Sequence, residues 1–243
     1  MEGHFSFYSI AKRGPGGNPG YTVLTMPRFL VGLMLFCFAN LASTVGAYGQ
    51  LLQCLGAHGY EDRHELSALR QAPHGARRTG KHTLQINWAH GLRQLVDSGC
   101  DGDGIGGQCW EYCSYDATLQ LHHVGHADGD LFTGALLDDK TGQLLPGGAS
   151  VNFSPDKKMY LSTSQMNGDE FSDWKLYARN GTLLWSGESG LVGKKDEVLA
   201  EFEDAKWSSS GELFTGYKDS KSNKVVLKLT RKADGKWGWV QQK

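Results

Sequence analysis

The C-terminal half of the chain alternates apolar and polar side chains in short runs that turn residues separate. Residues 136–145, 175–185 and 227–237 each hold two such runs, joined by Thr-Gly, Asn-Gly or Asp-Gly. A period of two is the spacing of a β-strand, and a glycine in the turn supplies the positive φ that tight hairpins need. The pattern therefore predicts three antiparallel hairpins.

A second unit alternates with these hairpins. Residues 151–156 read Val-Asn-Phe-Ser-Pro-Asp and lead into the strand-like run Met159-Tyr160-Leu161. Residues 205–214 repeat the design, because Trp207-Ser208 again places an aromatic residue and a serine before a tight turn and a further strand. A repeat of this length indicates an architecture built from similar structural units.

An aromatic-Ser-Pro-Asp strand pair followed by an outer hairpin resembles the blade of a β-propeller, over roughly residues 130–240. The match is most specific at Phe153-Ser154-Pro155-Asp156. The resemblance implies a partial or small propeller-like repeat within an all-β fold, and blades of this broad class mostly build scaffolds and binding faces. A β-sandwich is the alternative fold.

The region before the repeats is less regular. Residues 60–70 (YEDRHELSALR) fit one or two helical turns or an edge strand, whereas residues 83–88 (TLQINW) alternate as a strand does. We expect residues 48–243 to form a single β-rich domain.

The N-terminal region has the three-part sequence pattern of an export signal. From Met26 a short basic head leads into an apolar run over residues 29–41, and small residues follow up to Ala47. A membrane anchor needs about 20 consecutive apolar residues, and polar residues interrupt this run too early. The sequence thus predicts a cleaved signal peptide at 26–47, preceded by residues 1–25 that are disordered or lie upstream of the true start.

Composition supports an exported β-protein. Thirty-three glycines, seven tryptophans and nine tyrosines are typical of many turns and aromatic-rich strands, and the formal net charge is only −1. Nucleic-acid binding needs a basic surface, so nucleic acid is not an expected partner. We expect a periplasmic or secreted protein with no stable membrane insertion after cleavage.

Four of the five cysteines follow the predicted signal: Cys54, Cys100, Cys109 and Cys113. An even number in an exported chain predicts two disulfides, for which three connectivities exist. The interpretation favoured from the sequence pairs Cys54 with Cys100 and Cys109 with Cys113.

A glycine-rich loop between two of these cysteines offers oxygen ligands. Asp101 and Asp103 stand two apart, as calcium ligands do, but Ile105 and Tyr112 occupy positions where the helix-loop-helix template requires oxygen donors. No cofactor is expected overall, with a non-standard calcium site drawing on Asp97, Asp101, Asp103 and Glu111 as the alternative.

A dense set of metal-ligand side chains follows. It comprises His122, His123, His126, Asp128 and Asp130. On a strand His122 and His126 share a face about 13 Å apart, so one ion bridges them only if the chain bends at Gly125. Surface histidines beside a turn are the alternative.

Aromatic and acidic residues suggest binding surfaces. The aromatic set consists of Trp174, Tyr177, Trp185, Trp207, Tyr217, Trp237 and Trp239. These rings either stack on sugars or fill the core, and core filling is the stronger expectation. Acidic loops, at Asp169, Glu170 and Asp173 beside Trp174 and again over residues 196–204, form a candidate surface for a basic partner.

The sequence shows no recognised catalytic motif. Residues 186–190 (SGESG) lack the second glycine and the strand-to-helix context of a nucleophile elbow. The predicted function is an exported non-enzymatic binding protein that engages a protein partner of the envelope, in the manner of an inhibitor or immunity protein. The alternatives are a glycan- or metal-binding module, or an envelope hydrolase with an unrecognised site.

Overall fold

The computed structural model of the chain describes residues 49–54, 63–100, 107–166, 171–192 and 198–242. Residues 46–243 form one compact unit. The predicted signal peptide at 26–47 and residues 1–25 lie outside the described residues. In the described part of the chain, no helix has the length and apolarity needed to cross a membrane.

Nearly all described elements are β-strands, so the predicted all-β class is confirmed. In chain order they are β1 (Gln50–Gln53), α1 (Arg63–Gln71), β2 (Ala76–Arg78), β3 (Thr83–Trp88), β4 (Gly91–Val96), β5 (Gln108–Asp116), β6 (Leu121–Asp128), β7 (Leu131–Asp138), β8 (Leu144–Pro146), β9 (Ser150–Phe153), β10 (Met159–Met166), β11 (Asp173–Ala178), β12 (Leu183–Glu188), β13 (Gly190–Val192), β14 (Val198–Glu201), β15 (Lys206–Trp207), β16 (Leu213–Lys218), β17 (Lys224–Arg231) and β18 (Trp237–Gln241).

Among the described residues, three antiparallel four-stranded meanders organise the domain: β5 to β8, β9 to β12, and β15 to β18. The first two join into one sheet, because the end of β10 pairs with β7, and β1 extends this sheet by pairing with β9. Strands β2, β3 and β4 form a separate three-stranded sheet, and β13 pairs with β14.

The three hairpins predicted from the alternating pattern are confirmed. They join β7 to β8, β11 to β12, and β17 to β18. Gly142, Gly181 and Gly235 in their turns have φ values of 67°, 85° and 82°. A side chain is strained in this left-handed region, which explains why each turn carries glycine.

The aromatic-serine repeat is equally visible. Ser154 follows β9, and its Oγ accepts a hydrogen bond from the Met159 amide at 3.1 Å. Ser208 follows β15, and its Oγ accepts from the Glu212 amide at 3.0 Å. Both serines therefore close the same turn before the next strand. The repeat and its four-stranded meanders agree with a blade-like unit, while the propeller resemblance itself stays a prediction.

The β9 to β12 meander separates two hydrophobic clusters, because side chains alternate between its faces. The first core comprises Leu52, Leu119, Leu121, Leu136, Leu145, Val151, Phe153, Tyr160 and Tyr177. The second core comprises Leu161, Trp174, Leu176, Phe202, Ala205, Trp207, Leu213, Leu227 and Leu229. The expectation that the aromatics fill the core is confirmed, since Trp185, Tyr217, Trp237 and Trp239 also pack against the second core.

Residues 63–70 of the segment that fits either a helix or an edge strand lie in helix α1 (Arg63–Gln71) and not in a strand. Glu65 in its first turn and Arg70 in its last turn complement the helix dipole. The buried carboxylate of Glu65 accepts hydrogen bonds from the Tyr112 amide and from Arg78, each at 2.9 Å. Arg78 also pairs with buried Asp97 at 2.9 Å, so one guanidinium joins α1, β2 and the segment after β4.

Strand β3 occupies Thr83–Trp88, as the alternation predicted.

The disulfide pairing favoured from the sequence is wrong. Cys54 bonds Cys113, with Cα atoms 5.1 Å apart, and Cys100 bonds Cys109, with Cα atoms 5.5 Å apart. The strand register explains the first bridge, because β1 continues past β9 to lie against β6 and β5: the sulfurs of Cys54 and Cys113 both border Gly125. Two disulfides indicate an oxidising environment.

Candidate functional site

A cleft of about 510 Å³ lies between the β9 to β12 meander and the segment that links β14 to β15. Its volume falls within the range of about 300–1,000 Å³ that small-ligand sites occupy. Its lining residues are Gly49, Leu51, Gln53, Ser150, Asn152, Leu161, Thr163, Ser172, Trp174, Ser189, Glu201, Phe202, Asp204, Ala205, Lys206 and Trp207. We call this site the cleft.

Strand register builds one wall of the cleft. Gln53 pairs with Ser150, Ser150 with Thr163, and Thr163 with Trp174, so these side chains form a row across β1, β9, β10 and β11. Paired residues on neighbouring strands point to the same face of a sheet. The row therefore presents an amide, two hydroxyls and an indole to the cleft.

A second row runs two residues further along the same face. Leu51 pairs with Asn152, and Asn152 pairs with Leu161. Asn152 Nδ2 donates to the Ala205 carbonyl at 3.1 Å, and Trp207 Nε1 donates to the Asn152 carbonyl at 3.0 Å. These two hydrogen bonds tie the meander to the β15 segment and fix the width of the cleft at this end.

The opposite wall is apolar beneath a charged rim. Phe202 and Trp207 are buried in the second core, whereas Glu201, Asp204 and Lys206 are exposed at the rim. Two carboxylates against one ammonium give the rim a net negative charge. The cleft is thus suited to a neutral or cationic ligand that hydrogen-bonds hydroxyls and amides on one side and contacts apolar surface at its base.

A buried polar cluster lies elsewhere, between β5, β6 and the turn after β7. Asp139 Oδ1 accepts from His122 Nε2 at 3.3 Å and from the Ala89 amide at 3.2 Å. Asp139 Oδ2 accepts from Tyr115 Oη at 3.2 Å and lies 3.3 Å from His74 Nε2. His122 in turn meets the hydroxyl of Tyr112 through Nδ1 at 2.9 Å.

Burial and hydrogen bonding shift the pKa values of this cluster in opposite directions. Burial raises the pKa of Asp139, but the hydrogen bonds from His122 and Tyr115 and the charge interactions with His122 and His74 outweigh it, so the net pKa lies below its ordinary value. Burial lowers the pKa of His122 against the hydrogen bond and charge of Asp139, and burial raises the pKa of Tyr112. Because the carboxylate is engaged by several donors and His122 is fully buried, the cluster holds strands together.

The histidines predicted as a metal site do not converge. Strand β6 pairs with β7 without a register shift through Gly125, so it does not bend to bring His122 and His126 together. His126 stacks instead on Trp110, with ring centroids 4.1 Å apart. Asp128 and Asp130 are exposed at the following turn. Over the described ranges, the three-residue group with metal-ligand spacing is Cys54, Cys113 and His123.

No family model matches this chain, and neither does a curated protein or a solved structure. The geometry of the cleft and the chemistry of its lining are therefore what indicates the function.

The structure divides the predicted partner-binding residues. Trp174 is 5% exposed and packs against the rings of Phe202 and Trp239, which places it in the core at the base of the cleft and not on a free surface. Asp173 is exposed at the start of β11. Asp169 and Glu170 lie outside the described residues, as do the calcium candidates Asp101 and Asp103.

Sequence reasoning missed the polar row of the cleft. Gln53, Ser150 and Thr163 sit far apart in the chain and are common residue types, so no local motif marks them. The available signal was the period of two, which places Ser150 and Asn152 on one face of a strand and Val151 and Phe153 on the other. Strand order, which the sequence does not reveal, then brings them together.

Proposed function

We propose that this chain is an exported, non-enzymatic binding protein whose cleft takes a neutral oligosaccharide of the cell envelope. The observation that carries the proposal is the row of neutral hydrogen-bonding side chains at Gln53, Ser150 and Thr163, which ends on the indole of Trp174. Sugars present hydroxyls around an apolar ring face, so they match a wall of hydroxyls and amides above aromatic residues.

The compartment supports this assignment. Two disulfides suit an oxidising location outside the cytoplasm, where envelope polysaccharides are found. The acidic rim formed by Glu201 and Asp204 disfavours anionic polymers. The ligand class is therefore a neutral or amino-sugar oligomer.

Isothermal titration of the oxidised full-length chain tests the proposal, with N-acetylglucosamine oligomers of three to five sugars and gluco-oligosaccharides of equal length as probes. Thr163→Val removes one cleft hydroxyl without changing side-chain volume. It should weaken binding by about three- to tenfold, the share of one hydrogen bond. The matched control is Thr182→Val, at an exposed turn residue remote from the cleft lining, and it should bind as the parent does.

A second candidate function is the capture of a basic protein. The observation that favours it is the exposure of Val198 and Leu199 on β14, 43% and 60% respectively, beside the acidic Glu201. Exposed apolar side chains next to charge are typical of protein interfaces. If an interface is formed here, Leu199→Asp will abolish capture of a basic partner and leave oligosaccharide titrations unchanged.

A further inference from the structure

The disulfide between Cys54 and Cys113 has a histidine against it. His123, on β6, is fully buried, and the Cys54 sulfur lies 3.7 Å from its Nδ1 and 3.8 Å from its Nε2. The ligand atoms of Cys54, Cys113 and His123 all lie within 4.8 Å of one another. Nothing in the cleft or in the Asp139 cluster explains this arrangement.

The hydrogen bonding of His123 fixes its tautomer. Nε2 lies 2.8 Å from the Gly148 carbonyl, which only accepts, so Nε2 carries the proton and Nδ1 keeps a free lone pair. A metal-bound histidine has the same arrangement, because it donates its other N–H to a carbonyl or a carboxylate that orients the ring.

A small tetrahedral ion fits between these ligands only after the disulfide opens. With bonds of about 2.3 Å to sulfur and about 2.05 Å to nitrogen, a tetrahedral zinc ion separates its sulfur and nitrogen ligands by about 3.6 Å. The Cys54 sulfur lies 3.7 Å from Nδ1, close to this value, but it also lies 3.8 Å from Nε2, so it must shift along the ring towards the Nδ1 lone pair. Breaking the disulfide frees both sulfurs to make this shift and to move apart to about 3.8 Å.

The site is accessible on one side. Cys54 and Cys113 are half-buried, and Cys113 lines a cavity of about 210 Å³ beside α1. A reductant and an ion can approach through this cavity, and it has room for a water molecule as a fourth ligand.

We propose that Cys54, Cys113 and His123 form a redox-controlled site for a divalent metal ion of the zinc class, closed while the disulfide is intact and open once it is reduced. In the opening step a dithiol reductant gives two electrons and two protons to the disulfide and becomes a disulfide itself. Zinc then binds both sulfurs as thiolates, releases their two protons to solvent, and takes the Nδ1 lone pair of His123. None of these three ligands lines the oligosaccharide cleft, so either proposal can fail alone.

Cobalt(II) binding tests the site, because thiolate-to-cobalt charge transfer and tetrahedral d–d bands report ligand type and geometry together. The full chain carries Cys37→Ser, Cys100→Ser and Cys109→Ser, so that only Cys54 and Cys113 can respond. We expect no bands from the oxidised chain and one equivalent of tetrahedral cobalt after reduction with a phosphine, with zinc displacing the cobalt.

The decisive comparison is His123→Gln with His126→Gln. Glutamine at position 123 keeps an N–H for the Gly148 carbonyl but loses the imidazole ligand, and loss of a ligand should weaken binding by more than the roughly 10- to 100-fold that removal of an outer-shell partner costs. His126 lies on the same strand and contacts Trp110 rather than the sulfurs, so its variant should bind as the parent. Absence of bands after reduction, or equal affinity in both histidine variants, overturns the proposal.

A second measurement covers the case in which the cysteine variants do not fold. The reduced natural chain is alkylated with iodoacetamide, with and without one equivalent of zinc, and the modified cysteines are identified by mass spectrometry. We expect zinc to protect Cys54 and Cys113 and to leave Cys100 and Cys109 reactive. Equal modification of all four thiols contradicts the assignment.

Discussion

Among single residues, one arginine is the counter-charge of two buried carboxylates. Arg78 serves two carboxylates, Glu65 and Asp97, whose side chains are 4% and 0% exposed. A buried carboxylate that loses its counter-charge retains its desolvation penalty without compensation. Arg78 therefore links helix α1 to the sheet formed by β2, β3 and β4.

Arg78→Met should lower the free energy of unfolding by about 3–5 kcal/mol, because it leaves two buried carboxylates without a counter-charge. Urea denaturation followed by tryptophan fluorescence measures the change. Arg77→Met is the matched control, since the neighbouring Arg77 is exposed and hydrogen-bonds Gln85. Equal losses in the two variants would show that Arg78 is not special.

Buried His123 predicts a pH dependence of stability. Burial lowers the pKa of His123 to about 4, although the Gly148 carbonyl favours the charged form. Below about pH 6.5, His123 therefore binds a proton in the unfolded chain but stays unprotonated in the folded chain until the pH approaches 4. Its contribution to the free energy of unfolding is fully present above pH 6.5 and is lost as the pH falls towards 4.

The expected loss from this one group between pH 7 and 4 is roughly 3 kcal/mol, which urea titrations at a series of pH values measure. Asp139 acts in the same direction, because its pKa is also depressed and its contribution disappears on protonation. His123→Gln should therefore flatten the pH profile without making it level. An unchanged profile in this variant would refute the assignment to His123.

At the scale of elements, local patterns explain most strands and few contacts. The alternation around Gly142, Gly181 and Gly235 predicted three hairpins because turn chemistry and strand period are both local. The helix at Arg63–Gln71 was ambiguous because a short amphipathic segment fits either period, and its packing on β5 decides the outcome.

The two serine turns allow the repeat to be tested within one chain. Ser154 is 1% exposed and Ser208 is half-buried, yet each Oγ accepts from an amide that precedes or begins the next strand. Ser154→Ala should cost about 1–3 kcal/mol, since the buried Ser154 hydroxyl both accepts from the Met159 amide and donates to its neighbours, and Ser208→Ala, at a half-buried position, should cost about 0.5–1 kcal/mol. Chemical denaturation measures both, and a larger loss at Ser208 would contradict the repeat geometry.

For the whole molecule, the disulfides show why the pairing of cysteines cannot be predicted from their order in the sequence. Neighbouring cysteines along the chain suggested Cys109 with Cys113, but β5 places Cys109 and Cys113 at separate positions along one extended strand. Cys54 reaches Cys113 only through the order in which β1, β9, β10, β7, β6 and β5 assemble. The cleft has the same origin, because its polar row exists only across four strands.

The two bridges should differ in their contribution to stability. Cys54 and Cys113 are 59 residues apart, and Cys100 and Cys109 are 9 apart. Loop-closure entropy then predicts about 4 kcal/mol for the long bridge and about 2.5 kcal/mol for the short one. Unfolding of the Cys54→Ala/Cys113→Ala and Cys100→Ala/Cys109→Ala proteins measures the difference, and a greater loss for the second pair would contradict this estimate.

We expect the cleft to be where this protein holds its ligand. Amide hydrogen exchange of the oxidised full-length chain, with and without an N-acetylglucosamine pentamer, locates the binding site along the chain. Protection should increase in β9, β10 and residues 198–207 and should stay unchanged in β17 and β18. If protection increases only outside the cleft, or at no amide when the pentamer is at millimolar concentration, the cleft is not the ligand site.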